Sequence, residues 1–409
     1  MNKKIIALAV GSAIGALGAS AAFAQSSVTL SGAANFNYGQ FNAGGAGFAT
    51  ATTNAAGVNR IKYDGLNNQE SNWQLAGEEK LANGMHAFFQ CQTSMDFTGG
   101  ESANMCARNS FIGLKGGFGN LSFGNYDTPA KRLTGMYDPF PISAAMGQGA
   151  HMFNATSSNT TNGLSDLAIS GAATSFSRRQ ANLITYAIPR MNGVDAAIAW
   201  SSTNEASIQN TATTVQKARL WSAMVNYTNG PLGLGLGYEN HSNYNPLANT
   251  GYLGGDDTIL SLGVGYQVMP TLRLSAIHNS MKYGNMNAAN ADMGVKTWGL
   301  YANWNVSGPY TVRVGYGVQE SSSGSLGAGV QANTVKVGAW HANGGAGSTG
   351  AQKFHIEGVQ ALSKRTEVGL SFAQISNDRY SNITIGSGGK SPNYGETGTH
   401  MGLLIRHKF

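Results

Sequence analysis

Eight histidines, His86, His151, His241, His278, His341, His355, His400 and His407, are the first candidates for a reactive centre. None stands at metal-ligand spacing. The two cysteines, Cys91 and Cys106, have no Cys/His set beside them. A nucleophilic serine would need a Gly-x-Ser-x-Gly elbow between a strand and a helix, and no such context occurs. Gly233-Leu234-Gly235-Leu236-Gly237 is glycine-rich, but no helix follows to hold phosphate at its N-terminus. It reads as a strand with small inward residues. No catalytic residue, metal or cofactor is therefore expected. What remains is electrostatic. Arg273 and Arg313 fall in phase with small and polar residues of alternating segments, which predicts that they point inward. The long stretch 128–176 carries Lys131, Arg132, Asp138 and Asp166 beside apolar Pro139-Phe140-Pro141-Ile142. Charges of opposite sign across narrow water make a transverse field, and rings of charge bias which ions pass.

Such charges need a scaffold, and that scaffold is exported. Lys3 and Lys4, the apolar run from Ile5 to Ala22, and Ala22-Phe23-Ala24 form a three-part signal peptide. Residues 1–24 are expected to be removed, and 25–409 to form one domain. Without Lys3 and Lys4 the net charge falls from +6 to +4, an excess too small and dispersed for nucleic-acid binding. Charged residues make up 11% of the chain, where about 25% is usual in soluble domains. Glycine supplies 56 of the 409 residues. This composition suits β-structure with polar loops. No run after residue 24 is long and apolar enough for a spanning helix. In an oxidising compartment Cys91 and Cys106, flanking a loop, are expected to be bridged, the alternative being two free thiols.

The recurring pattern has period two. Trp298, Leu300, Ala302, Trp304 and Val306 alternate with Thr297, Gly299, Tyr301, Asn303 and Asn305. Leu260 to Val268 and Val312 to Val318 repeat it. In a strand this puts apolar groups on one face and small or polar groups on the other. A second sheet would pack poorly on the polar face, so water should cover it and lipid the apolar one. Short turns such as Ala82-Asn83-Gly84 and Ser307-Gly308-Pro309 alternate with long loops. The long loops fall at about 40–70, 96–105, 128–176, 204–217, 242–256, 284–295, 321–351 and 378–397. The strands between them are 28–39, 71–81, 85–95, 106–115, 121–126, 178–189, 194–203 and 218–228. They continue with 232–241, 257–268, 271–282, 296–306, 310–320, 352–362, 366–376 and 398–409. Thr334 to Trp340 also alternates, as a loop hairpin or a shifted strand. The fold class is all-β: a transmembrane 16-stranded antiparallel barrel with long extracellular loops. The last strand, ending at Phe409, must pair with the first, because an open edge in lipid leaves backbone groups unsatisfied. Trp221, Tyr227, Trp298, Trp304 and Phe409 are expected in the interface belts.

These residues resemble the trimeric Gram-negative porins of the betaproteobacterial type. The matching stretches are Ser26-Ser27-Val28-Thr29-Leu30, Arg108 to Gly119, Tyr137-Asp138-Pro139-Phe140 and Arg179 to Tyr186. Ala361-Leu362-Ser363-Lys364-Arg365-Thr366 and Ile405-Arg406-His407-Lys408-Phe409 complete the series, in order along the chain. The resemblance implies a homotrimer with the third loop folded into each pore. It implies an outer membrane of lipid and lipopolysaccharide, and assembly machinery that reads Phe409. Arg108 and Arg179 match two basic wall positions of the family, with Arg273 and Arg313 as further basic candidates. Asp127 and Asp138 are the nearest acidic partners, beside Lys131 and Arg132 of the loop. Asn72 and Asn125 stand where the family often has arginine, which puts strong anion selectivity in doubt.

The expected function is a passive outer-membrane channel for ions and small hydrophilic solutes. The alternatives are a substrate-selective channel, or a surface adhesin built on a barrel. An outer-membrane enzyme would need a Ser/His/carboxylate or paired-carboxylate set on one rim, and none stands at suggestive spacing.

Overall fold

Leu260, Leu262, Val264, Tyr266 and Val268 are alternate residues of one strand, and each is 42–49% exposed. Ser261, Gly263 and Gly265 between them are buried. Large apolar groups standing in ranks on the outside, with small groups inside, invert the pattern of a soluble protein. Trp298 and Leu300 behave likewise, at 45% and 55% exposed. The chain is seen in a computed structural model. It describes residues 26–43, 61–99, 104–140, 176, 179–202, 208–210, 214–216, 219–242, 256–284, 292–321, 323, 349–379, 381, 383, 385 and 395–409. Residues 1–24, Asp166, Pro141, Ile142 and Thr334 to Trp340 lie outside that set.

The wall begins with β1 (Ser26–Ala43), β2 in two runs (Ile61–Asn68 and Asn72–Lys80), β3 (His86–Ser94), β4 (Ser110–Gly116) and β5 (Gly119–Asp127). A helix, α1 (Pro129–Tyr137), follows. Then come β6 (Arg179–Ala187), β7 (Val194–Ser201), β8 (Arg219–Asn229), β9 (Leu232–Ser242) and β10 (Asp257–Met269). The circuit ends with β11 (Leu272–Tyr283), β12 (Met293–Ser307), β13 (Tyr310–Gln319), β14 (Ala351–Ala361), β15 (Thr366–Asn377) and β16 (Thr397–Lys408). Each strand pairs antiparallel with its neighbours in sequence. β16 returns to β1, from Ala33↔Lys408 to Ala43↔Gly398. Phe409 completes the seam, exchanging two 3.0 Å backbone hydrogen bonds with Gly32. The result is a closed 16-stranded barrel, as a sheet in lipid requires. No described helix is long and apolar enough to cross a membrane; the strands form the wall.

Three departures from the alternation are informative. β2 extends well into the stretch read as a loop at 40–70: Ile61–Asn68 pairs with Phe36 to Ala43 of β1. Its two runs are separated by residues 69–71, which oppose only Ala34 and Asn35. Asn35 N donates to Ser71 Oγ at 2.8 Å and Ser71 Oγ donates to Asn35 O at 3.0 Å, tying the bulge to β1. Asp64-Gly65-Leu66-Asn67-Asn68 has no clean two-residue period, so the run was hidden. β4 starts at Ser110, not at 106, so Arg108 precedes the strand. Third, the inner face is not wholly polar. Tyr301, on the lumenal side of β12, joins Leu133, Tyr137, Phe140, Ala197, Met224 and Ile277 in an apolar cluster inside the barrel.

Candidate channel eyelet

Asp127 ends β5, and the chain then enters the barrel as a helix. Thr128 caps α1, its side chain accepting from Lys131 N at 3.4 Å, and Pro129 fills the first turn. Pro129, Ala130, Leu133, Thr134 and Tyr137 are buried, the spacing of one helix face. That face lies on a glycine floor. A Cβ at Gly235 of β9 would stand 2.7–2.8 Å from Tyr137 and Leu133, and one at Gly237 would stand 2.9 Å from Leu133. Gly263 of β10 faces the Tyr137 ring in the same way. Hydrogen bonds pin the helix. Ala130 N donates to Ser222 Oγ (3.0 Å), Tyr137 OH to Asn226 Oδ1 (2.6 Å), and Ser275 Oγ to Tyr137 O (2.6 Å). Burial pushes the Tyr137 phenol above its ordinary value, against the opposing effect of nearby Arg273. Beyond the helix, Phe140 stacks on His355 of β14 with centroids 3.9 Å apart. Residues 128–140 thus follow the inner wall from β5 to β14.

The charges gather at the start of that loop. Arg108 Nη2 donates to Glu70 Oε2 at 2.6 Å, and its Nε reaches Gln92 Oε1 at 3.4 Å. Lys131 Nζ pairs with Asp127 Oδ1 at 2.6 Å, and Arg179 Nε lies 3.6 Å from the same oxygen. Asn109 Nδ2 donates to Asp127 Oδ2 at 2.7 Å. Arg132 lies over the Tyr126 ring, 5.4 Å from its centroid. Three cations, Arg108, Lys131 and Arg179, act on two carboxylates, Glu70 and Asp127, and Arg132 stands beside them over Tyr126; the six charges sum to +2.

The other expected residues stand elsewhere. Arg273 lies over Gly265, within electrostatic reach of Tyr137. Arg313 pairs with Glu357 on β14 and approaches Glu367 at 4.0 Å, while Arg406 pairs with Glu367. Asp138 stands at the far end of α1. It accepts from Phe140 N at 2.9 Å and lies near Lys353. The acidic partner of Arg108 is Glu70, which the sequence reading missed because it assigned residue 70 to a loop. Glu357, Glu367 and Arg406 were missed too, although their two-residue phase matched that of inward neighbours. Asn72 and Asn125 serve structure: Asn72 accepts from Gln92 Nε2 at 3.0 Å, and Asn125 donates to the carbonyls of Ala107 and Arg108. Cys91 and Cys106 are joined in a disulfide, with Cα atoms 4.6 Å apart. Among the described residues no group of three His, Cys, Asp or Glu converges as a metal site.

The profile of a family described as Gram-negative porin matches residues 7–380. Outer membrane porin protein 32 of Delftia acidovorans is 26% identical over 415 residues, covering all of both chains. The solved structure of an anion-selective porin from Comamonas acidovorans superimposes with a TM-score of 0.69 at 22% identity, covering 94% of this chain and all of that one. A trimer form of the Vibrio cholerae outer membrane protein OmpT gives a TM-score of 0.59 at 12% identity, covering 94% and 99%.

Proposed function

The chain belongs to the Gram-negative porin family and is an outer-membrane channel for small solutes, and we propose that it is a general diffusion pore with a modest preference for anions. The observation that carries this is the net +2 of the cluster formed by Arg108, Arg179, Lys131 and Arg132 with Glu70 and Asp127. Fixed charges at a constriction raise the local concentration of counter-ions and repel co-ions. The seated helix narrows the lumen on the β7–β11 side, which leaves solutes to pass the charged β2–β6 side. The preference is modest because Glu70 and Asp127 offset half of the positive charge, and because Asn72 and Asn125 carry none.

Several parts of this reading go with the family. The Comamonas acidovorans relative is described as anion-selective, and the Vibrio cholerae one has a trimer form. We extend both properties to this chain: a homotrimer in a lipid and lipopolysaccharide membrane, assembled through recognition of Phe409, with no catalytic activity. Residues 1–24 act as the export signal, so the N-terminus of the mature protein should read Gln25.

Reconstitution into planar bilayers tests the proposal. Stepwise conductance and a zero-current potential favouring chloride over potassium are expected. Arg108→Ala and Arg179→Ala should each lower the chloride preference. If both variants keep the wild-type selectivity, the eyelet has been assigned to the wrong residues.

A further inference from the structure

The ladder between β3 and β4 ends at Gln90↔Phe111, three residues short of Arg108. β3 itself continues to Ser94, but there it pairs only with β2 on its other side. The chain that carries Arg108 into the eyelet therefore runs beside β3 without a regular ladder. Its non-covalent attachments are isolated hydrogen bonds, among them Gln92 N to Ser110 Oγ (2.9 Å) and the exchange between Asn109 and Asp127. Cys106 N donates to Thr93 Oγ1 (3.0 Å), and Arg108 N to Gln92 O (3.0 Å). Gln90 Nε2 donates to Asn109 O (2.8 Å), and Asn125 Nδ2 holds the carbonyls of Ala107 and Arg108. Cys106 has φ 56°, a left-handed conformation uncommon for residues other than glycine. The one covalent attachment is the disulfide from Cys106 to Cys91 of β3. It sits two residues from Arg108, on the strand whose Gln92 also meets the guanidinium.

We propose that the Cys91–Cys106 disulfide is a positioning element for Arg108 and thereby sets the ion preference of the pore. This rests on the assignment of Arg108 to the eyelet. The bridge takes over where the ladder stops. It confines the chain leading to the guanidinium, so that Arg108 stays on Glu70 and Gln92 at the edge of the lumen. With two thiols in its place, the same segment is held by side-chain and isolated backbone hydrogen bonds. Arg108 then spreads over many positions, and its share of the fixed field is diluted.

The test uses the full-length folded protein in planar bilayers. A dithiol such as dithiothreitol reduces the bridge to two thiols and is itself oxidised to a cyclic disulfide. Alkylation and mass measurement report whether the bridge has opened. Where the reductant fails to reach it, the Cys91→Ser/Cys106→Ser double variant takes its place, with heat-modifiable gel mobility as the check on folding. Opening the bridge is expected to lower the chloride-to-potassium permeability ratio about twofold, and Arg108→Gln to lower it by at least as much. Reoxidation should restore it. In the Arg108→Gln background, opening the bridge should change the ratio no further, whereas a staple acting on the whole wall would change it in both backgrounds. The inference is overturned if Arg108→Gln shifts the ratio and opening the bridge does not, or if opening it shifts both backgrounds equally. If Arg108→Gln itself leaves the ratio unchanged, the eyelet assignment fails and this inference fails with it.

Discussion

Glu70 and Arg108 lie 38 residues apart in the chain, yet their side chains meet at 2.6 Å. The contact depends on an interruption. β2 breaks its ladder between Asn68 and Asn72, and Glu70 occupies the gap at φ 57°. An extra residue in a strand re-aims a side chain that regular alternation would place elsewhere. Half of the Glu70 side chain is exposed, so the pair stabilises the fold by no more than about 1 kcal/mol. In the proposed pore its role is in the field.

Glu70→Gln is expected to make the pore more anion-preferring, because it removes one of the two carboxylates that offset the cluster. The chloride-to-potassium permeability ratio from zero-current potentials should rise above wild type, with unfolding unchanged within roughly 1 kcal/mol. A fall in the ratio would mean that Glu70 acts mainly by holding Arg108 in place.

Salt should weaken the preference. The Debye length is about 10 Å at 0.1 M and about 3 Å at 1 M. Charges on an eyelet wall act across the lumen in the first condition and barely beyond contact in the second. Permeability ratios measured at the same gradient, but centred on low and high salt, should converge towards the mobility ratio of the free ions as salt rises. A ratio independent of salt would point to discrimination by size.

Gly235→Val should obstruct the pore. Its Cβ would stand 2.7–2.8 Å from Tyr137 and Leu133, closer than packed carbon atoms approach. The wall strand is held on both sides, whereas α1 is held by one face, so the helix should give way into the lumen. Single-channel conductance is expected to fall and current noise to rise, with the barrel still heat-modifiable on gels. Wild-type conductance would show that the seat tolerates a side chain.

The Arg313–Glu357 pair is shielded, its side chains only 11% and 2% exposed. Glu357→Leu alone should lower the unfolding free energy by roughly 3 kcal/mol, the lower end for stranding one member of a buried pair. Glu367, 4.0 Å from Arg313, keeps the loss at that end. Arg313→Met with Glu357→Leu should recover most of it, since neither charge is then left alone. Thermal or urea unfolding in detergent compares the three proteins, and a double variant no better than the single one would count against a paired role.

Much of the barrel is legible in the chain. Residues such as Leu260 to Val268 alternate because backbone pleating sends successive side chains to opposite faces, a local rule that needs no tertiary information. Glycines 233, 235 and 237 likewise declare a bare inner surface, though not what would lie on it. The structure supplied the occupant, Leu133 and Tyr137 of α1.

The residues themselves determined the strand count, the lipid-facing ranks and the closure at Phe409, because period-two patterning and turn chemistry are properties of neighbouring positions. Tertiary structure alone decided which charges meet: Arg108 with Glu70 instead of Asp127 or Asp138, and Arg313 with Glu357. Ring closure brings distant strands side by side, and a three-residue interruption in β2 resets their phase. Neither leaves a periodic trace along the chain.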